Sequence, residues 1–156
     1  MTKFFSLIFI IFSISLSSFE QEYTSAQSKF SLLVHKTPTC GCCKKWVKHL
    51  EANSFSTMIK DHQNLQKVKD QYSIKPKYQS CHTAVSQDGY IFEGHIPSEF
   101  IKQFLANPEA DAIGLSVPGM PLGSPGMEVE GRFMPYDVLV LYKDGSSKVY
   151  AEVRKL

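Results

Sequence analysis

Three of the chain's four cysteines lie within four positions, in the stretch PTCGCCKK at residues 38–45. They are Cys40, Cys42 and Cys43, whereas the fourth thiol, Cys81, lies far along the chain. Clustered thiols can form a disulfide framework, act as a thiol-redox pair, or bind a soft metal ion. A chain of 156 residues can build its own hydrophobic core, so four cysteines are too few to define a disulfide scaffold. The other sulfur and nitrogen side chains must distinguish between these chemistries.

A second group of sulfur atoms lies in residues 114–135, a segment rich in glycine and proline. Met120 and Met127 each follow a Pro-Gly pair, so they belong to turns and not to the apolar face of a regular element. Thioethers together with thiolates favour Cu(I), whereas zinc is satisfied by cysteine and histidine. The alternative role for both methionines is the filling of packing gaps. Met58, which lies in a strand pattern, is expected in the core.

Two histidines are candidate metal ligands. His82 follows Cys81 directly, and His95 ends the segment CHTAVSQDGYIFEGH at residues 81–95. A neutral imidazole is a common metal ligand, and each of the two could equally be an ordinary polar residue. The remaining histidines are assigned to structural or surface positions: His35, His49 and His62.

Hydrophobic periodicity predicts the elements that position these side chains. Two apolar β-rich runs and three amphipathic runs alternate along the first part of the chain, and Asp-Gly pairs mark two hairpins. Residues 114–135 are expected to form a loop without a central strand. The predicted strands are 30–36 and 55–61, the helices are 44–53, 64–74 with Asn64 as cap and 98–107 with Ser98 as cap, and the hairpins turn at 88–89 and 144–145.

The order βαβα–ββα predicts an α/β fold, a thioredoxin-like mixed sheet, with an added C-terminal β-hairpin and a Gly/Pro/Met-rich loop. In such a fold the loop between the first strand and first helix carries the reactive sulfurs, and the helix N-terminus favours thiolates. Cys81 begins the third strand, where thioredoxin-like oxidoreductases keep a cis-proline. We therefore expect Cys81 to close onto the loop that contains Cys40 and Cys43, in agreement with either a redox centre or a metal site.

The N-terminal segment has the pattern of a secretory signal peptide. Lys3 precedes the apolar run FFSLIFIIFSISL, and small polar residues follow it. Residues 1–26 are therefore predicted to be a signal peptide and residues 27–156 a single exported, periplasmic domain. The formal net charge is +2 and the lysines are scattered, so nucleic acid is not an expected partner. No stable membrane insertion is expected after signal cleavage.

Three separated motifs together resemble one known family. TCGCCKKWVKHLEANSF, CHTAVSQDGYIFEGHIP and VPGMPLGSPGMEVEG are similar to the CopG-like exported copper-resistance proteins, over about residues 30–153. The resemblance implies a thioredoxin-like fold that binds copper through cysteine sulfurs, often as a multinuclear site, with copper redox handling in the bacterial envelope. By position it implies a core of four cysteines with further histidine and methionine members: Cys40, Cys42, Cys43 and Cys81, then His82, His95, Met120 and Met127.

The leading functional hypothesis is a periplasmic protein that holds Cu(I) for copper tolerance, with other envelope copper-handling proteins as partners. Four thiolates around one Cu(I) would be anionic and over-coordinated, so a shared cluster with bridging thiolates is the more economical arrangement. An alternative is a copper oxidoreductase or a thiol-disulfide oxidoreductase that uses Cys40 and Cys43. A third is a zinc-stabilised interaction domain. As a further alternative, a structural disulfide would most simply join Cys81 to one of the loop thiols.

Overall fold

Seven strands form one mixed sheet in the computed structural model, which describes residues 30–155. The strands are β1 (Phe30–Lys36), β2 (Phe55–Asp61), β3 (Thr83–Ser86), β4 (Ile91–Glu93), β5 (Ala112–Ser116), β6 (Tyr136–Tyr142) and β7 (Ser147–Val153). The helices are α1 (Gly41–Ala52), α2 (Gln66–Gln71) and α3 (Ser98–Ala106), and a short 3₁₀ turn covers Pro76–Tyr78. The strand order in the sheet is β2-β1-β3-β4-β5-β6-β7.

The sheet confirms the predicted mixed α/β architecture. β1 and β2 are parallel and are connected by α1, whereas β3 runs antiparallel to both β1 and β4. The β3–β4 hairpin turns at Gly89, and the C-terminal β6–β7 hairpin turns at Gly145. Both glycines have a positive φ, +85° and +78° respectively, which is the conformation that an Asp-Gly turn requires. The added C-terminal hairpin is therefore present as predicted.

The prediction that residues 114–135 lack a central strand is wrong at its beginning. β5 lies between β4 and β6, parallel to the first and antiparallel to the second. The sequence pattern did not predict this strand because it contains Gly114, and glycine normally interrupts strand patterns. Here Gly114 has a φ of +145°, and a Cβ at this position would overlap the carbonyl of Ile91 in β4. The glycine allows the two strands to approach closely, and the irregular loop begins only after Ser116.

The main core lies between the sheet and helices α1 and α3. Trp46 and Leu50 of α1 are fully buried, and so are Ile101 and Phe104 of α3. They pack against side chains from β1, β3 and β4, which include Leu32, Val34, Ala84 and Phe92. Met58, predicted in this core, is 61% exposed because β2 is an edge strand of the sheet.

Two helix termini differ in detail from their predicted forms. α2 is shorter than residues 64–74, and its N-cap residue is Leu65 and not the predicted Asn64, whose Oδ1 accepts the N–H of Gln66 at 2.7 Å. Ser98 is the first residue of α3 and not its cap, and its N–H donates to His49 Nε2 at 3.1 Å. No helix within residues 30–155 has both the length and the apolar character needed to cross a membrane. The predicted signal peptide, residues 1–26, lies outside the described residues.

Candidate metal centre

The N-terminus of α1 holds the three clustered cysteines. Cys40 is the N-cap residue, with an extended backbone, and its Sγ accepts the N–H of Cys43 at 3.3 Å. Cys42 and Cys43 lie in the first helical turn, where free N–H groups and the helix dipole stabilise negative charge. Lys44 and Lys45 are exposed beside them. The helix terminus and the two lysines therefore place positive potential beside the three sulfurs.

Cys81 brings the fourth sulfur to this helix terminus from the segment just before β3. Its Sγ lies 3.5 Å from that of Cys43 and 3.9 Å from that of Cys42. The sulfurs of Cys40 and Cys42 are 3.5 Å apart. All four Sγ atoms lie within 4.8 Å of one another. The structure thus brings together the four cysteines that the sequence analysis combined.

Cys40 and Cys43 are joined as a disulfide, with their Cα atoms 5.4 Å apart. Cys42 and Cys81 are free, half-buried thiols. This pairing differs from the simplest one expected for a structural disulfide, which joined Cys81 to a loop thiol. One turn of helix separates Cys40 from Cys43, which allows their side chains to meet without a contribution from the rest of the fold. Because disulfide sulfurs are not thiolates, this is the oxidised form of the site.

His95 points a nitrogen lone pair at Cys81. Its Nδ1 lies 2.8 Å from the carbonyl oxygen of Pro125, which can only accept, so Nδ1 carries the hydrogen. Nε2 is then unprotonated in the neutral ring, 3.1 Å from Cys81 Sγ. Burial lowers the pKa of His95, against weaker opposing effects of Pro125 and Glu128. This is the tautomer and orientation of a histidine that binds a metal through Nε2.

His82 is fully buried, and its ring meets that of His95 edge to face, with 4.9 Å between centroids. Its Nδ1 lies 3.3 Å from Cys81 Sγ, and its ring packs against that of Trp46 with 4.3 Å between centroids. Burial holds the pKa of His82 well below its ordinary value, with further lowering by His95 and Lys69. Its Nε2 is buried and has no hydrogen bond of ordinary geometry to any of residues 30–155. His82 is therefore a neutral imidazole in contact with the sulfur cluster.

Cys81 belongs to two sets of potential metal donors. One set consists of the four sulfurs, and the other consists of Cys81, His82 and His95, whose donor atoms also lie within 4.8 Å of one another. Burial raises the pKa of the Cys81 thiol to about 12, and Cys42 contributes to the rise. A metal cation at this position would offset both effects, because it replaces the proton and its charge stabilises the thiolate. The donors present thus fit a soft metal ion or cluster.

The Gly/Pro/Met-rich loop packs directly on this centre. A Cβ at Gly126 would lie 2.7 Å from the carbonyl oxygen of Cys42 and 2.9 Å from the nitrogen of Trp46. The half-buried Met127 follows this contact. Met120 is 51% exposed, and its neighbour Gly119 accepts a hydrogen bond from Ser80 Oγ. The structure therefore brings the backbone beside both methionines to the site, while metal ligation by their thioethers stays a prediction.

Three contributors to the site were not predicted from sequence. They are the Pro125 carbonyl, the ring contact of Trp46 with His82, and a buried ion pair between Lys69 and Glu93. Only the ion pair leaves a signal in the sequence. Lys69 lies four residues after Leu65 and next to Val68, on the face of α2 that is otherwise apolar.

Comparison with known proteins gives one family model and two solved structures. The model, described as "Protein of unknown function, DUF411", matches residues 78–127. A structure titled "Copper resistance protein copG- Form 1" is 40% identical with a TM-score of 0.75, covering 81% of this chain and 98% of that chain. Its Form 2 counterpart is 41% identical with a TM-score of 0.75, covering 80% and 98%. No curated protein sequence matches.

Proposed function

This chain belongs to the family of the copper-resistance protein CopG, and on that basis we propose that it binds copper and contributes to copper tolerance. The observation that carries the proposal is the meeting of four cysteine sulfurs within 4.8 Å of one another. Thiolates are the protein ligands that select Cu(I). The family membership and the donor chemistry support the same metal.

In the proposed site, the reduced cysteines supply thiolates to Cu(I). Four thiolates on a single Cu(I) would carry an unbalanced negative charge in a half-buried place, so we propose a cluster of more than one ion with shared thiolates. His95 and His82 are proposed as nitrogen ligands beside Cys81, supported by the lone pair of His95 that faces its sulfur. Met120 and Met127 are proposed as thioether contacts on the loop that closes the site.

The fold and the cellular location extend this proposal. We propose that the part of the sheet formed by β2-β1-β3-β4 is thioredoxin-like, supported by parallel β1 and β2 and an antiparallel β3.

We also propose that residues 1–26 direct export and that residues 27–156 act in the periplasm. Free thiols in an oxidising compartment need protection, which a bound metal would provide. Other envelope copper-handling proteins are the proposed partners.

A second candidate function is supported by the Cys40–Cys43 disulfide at the N-terminus of α1. A C-x-x-C disulfide in this position is the arrangement of a thiol-disulfide oxidoreductase. Such an activity needs only these two sulfurs. Insulin reduction that survives Cys81→Ser and does not respond to copper would favour this function over copper binding.

Anaerobic titration of the reduced mature chain with Cu(I) tests the copper proposal. We expect more than one copper per chain, sulfur-to-copper charge-transfer absorption, and loss of most of the bound copper in Cys81→Ser. His95→Gln should weaken the affinity by about tenfold or more. His49→Gln is the matched control, because His49 contacts Ser98 and not the sulfurs, and it should leave the affinity unchanged.

Three results would count against parts of this proposal. A firm ratio of one copper per chain would exclude the cluster. Stoichiometric zinc without copper in protein from copper-supplemented cells would favour the zinc-stabilised domain. Unchanged copper binding in both Met120→Leu and Met127→Leu would exclude the thioether contacts.

A further inference from the structure

Lys69 and Glu93 form an ion pair in the interior of the protein. Lys69 is 5% exposed and Glu93 is fully buried. The Lys69 ammonium donates to Glu93 Oε1 and lies 3.3 Å from the hydroxyl of Thr83. Burial raises the pKa of the Glu93 carboxyl, and Lys69 opposes that rise. Two buried ionic groups are costly to desolvate, and an apolar pair of similar size would often stabilise a fold as well or better. Packing alone therefore does not account for this pair.

Glu93 holds both ends of a four-residue segment. Its Oε1 accepts the backbone N–H of Ser80 at 2.6 Å, and its Oε2 accepts the hydroxyl of Thr83 at 2.6 Å. Between these two residues lie Cys81, which belongs to the sulfur cluster, and His82, which contacts it. An apolar side chain at position 93 could fill the space but could not accept either hydrogen bond. The carboxylate thus holds the chain on both sides of Cys81, through the backbone N–H of Ser80 and the side-chain hydroxyl of Thr83.

The same segment is also held from the side of the loop. Ser80 Oγ donates to the carbonyl of Gly119, and the N–H of Gly119 donates to the carbonyl of Gln79 at 3.1 Å. Gly94, with a φ of +80°, leaves no room beside Ser80, since a Cβ there would lie 2.7 Å from Ser80 Cβ. Ser80 is therefore fixed through its backbone by Glu93 and through its side chain by the loop that carries Met120.

We propose that Lys69 and Glu93 are a positioning pair for Cys81, which they hold at the distance from the α1 cysteines that the metal centre requires. Neither side chain contacts a sulfur; they act through Ser80 and Thr83. Lys69 supplies the compensating charge that allows Glu93 to remain buried as a hydrogen-bond acceptor. The part of this inference that concerns metal affinity depends on the proposed copper function, whereas the part that concerns the placement of Cys81 does not.

The first test measures the placement of Cys81 without metal. With the Cys40–Cys43 disulfide intact, Cys42 and Cys81 are the free thiols, and mass spectrometry can follow the reaction of each with a maleimide. In Lys69→Met/Glu93→Leu we expect the ratio of the Cys81 rate to the Cys42 rate to rise by about tenfold. A general loosening of the fold would raise both rates together. An unchanged ratio in a folded double variant would overturn the proposal.

The second test measures Cu(I) affinity by competition with a chelator. The double variant should bind about tenfold to a hundredfold more weakly, as expected when an outer-shell support is removed. Glu93→Gln, which keeps one acceptor for Ser80, should recover part of that loss. Lys36→Met is the matched control, because Lys36 is 2% exposed and its ammonium donates to Asp61 and to the carbonyl of Thr37, with no hydrogen bond to the side chains of residues 80–83. Its affinity and its thiol ratio should equal those of the wild type.

If the double variant does not fold, a third variant tests whether Glu93 positions Cys81. Thr83→Val keeps the ion pair and removes the hydroxyl that donates to Glu93 Oε2 and accepts from the Lys69 ammonium. An increased Cys81 to Cys42 ratio in this variant supports the proposal, and a wild-type ratio overturns it. If the wild-type chain binds no copper, the proposed function fails, but the thiol ratio still tests the positioning pair.

Discussion

Cys81 is the residue on which both donor sets depend. Burial, followed by the neighbouring Cys42, raises its pKa from the usual 9.0 to about 12. The folded state therefore favours the protonated thiol, and the stability that this provides is complete below pH 9 and is lost as the pH rises towards 12. At neutral pH, a metal ion must displace the Cys81 proton. The proposed copper binding would thus be coupled to proton release at this residue.

This coupling predicts that copper affinity rises with pH. Between pH 6 and pH 8 the apparent Cu(I) affinity of the reduced chain should increase by about tenfold per pH unit for each proton displaced. Chelator competition at several pH values measures the slope, and the protons released into weak buffer can be counted in the same titration. Cys81→Ser should reduce the slope by the contribution of one proton. An affinity independent of pH would show that the site binds metal without deprotonation.

At the scale of elements, the contact between the loop and α1 determines how the centre is covered. Gly126 has a φ of +88° and lies against Cys42 and Trp46, with no room for a side chain. Gly131, in the same loop, also has a positive φ, of +67°, but a Cβ there would meet no atom within 4 Å. The two glycines share the conformational requirement and differ in whether they touch the site.

Alanine substitutions at Gly126 and Gly131 distinguish the stability cost of a strained backbone from the effect of the loop contact with α1 on copper binding. Each should lose ~1–2 kcal/mol of unfolding free energy from the left-handed conformation alone. Only Gly126→Ala should also displace the loop from α1, weaken copper binding and free the Nδ1 hydrogen of His95 from Pro125. Denaturant unfolding and Cu(I) competition measure the two effects. Equal copper affinities in the two variants would mean that the loop contact plays no part in binding.

The elements that the sequence predicted are those with local signals. Helix periodicity around Trp46 and the Asp-Gly turns before β4 and β7 predicted the helices and hairpins near their observed positions. β5 was missed because Gly114 serves a close approach to another strand, which no local pattern reports. Met58 was placed in the core because period-two alternation does not distinguish an edge strand from a central one.

The donor residues of the site could be predicted from the sequence because they belong to rare residue types. The cysteines could be grouped because their chemistry and the βαβ order bring them to one helix terminus. The support of the site could not be predicted, because it depends on tertiary distances. The tautomer of His95 is set by a proline carbonyl 30 positions away, and Glu93 meets Ser80 only when β4 is in register.

At the scale of the whole molecule, Trp46 joins the core to the metal centre. It is the single tryptophan of the chain and is fully buried in the main core. Its Nε1 donates to the carbonyl of Ile96 at 2.8 Å, and its ring packs on His82. A change at the centre therefore reaches the one residue that dominates the protein's fluorescence.

We expect copper binding to quench the fluorescence of Trp46. The quenching should saturate at the same copper ratio as the charge-transfer absorption and should reverse when a strong chelator removes the metal. A variant with all four cysteines changed to serine provides the control and should show no saturable change. Stoichiometric copper binding with constant fluorescence would place the metal away from His82.

Because Cys40 and Cys43 form a disulfide, oxidation of these sulfurs and the proposed copper binding must affect each other. If copper binds here as proposed, copper and oxidants compete for the same two sulfurs, since copper requires thiolates and oxidation removes them. Binding free energies are reciprocal, so copper must make the disulfide easier to reduce, by about 30 mV for each tenfold excess of one bound ion over its dissociation constant. Oxidation must in turn expel copper. A compartment's redox balance and its copper level would then act on one set of atoms, and each would change the protein's response to the other.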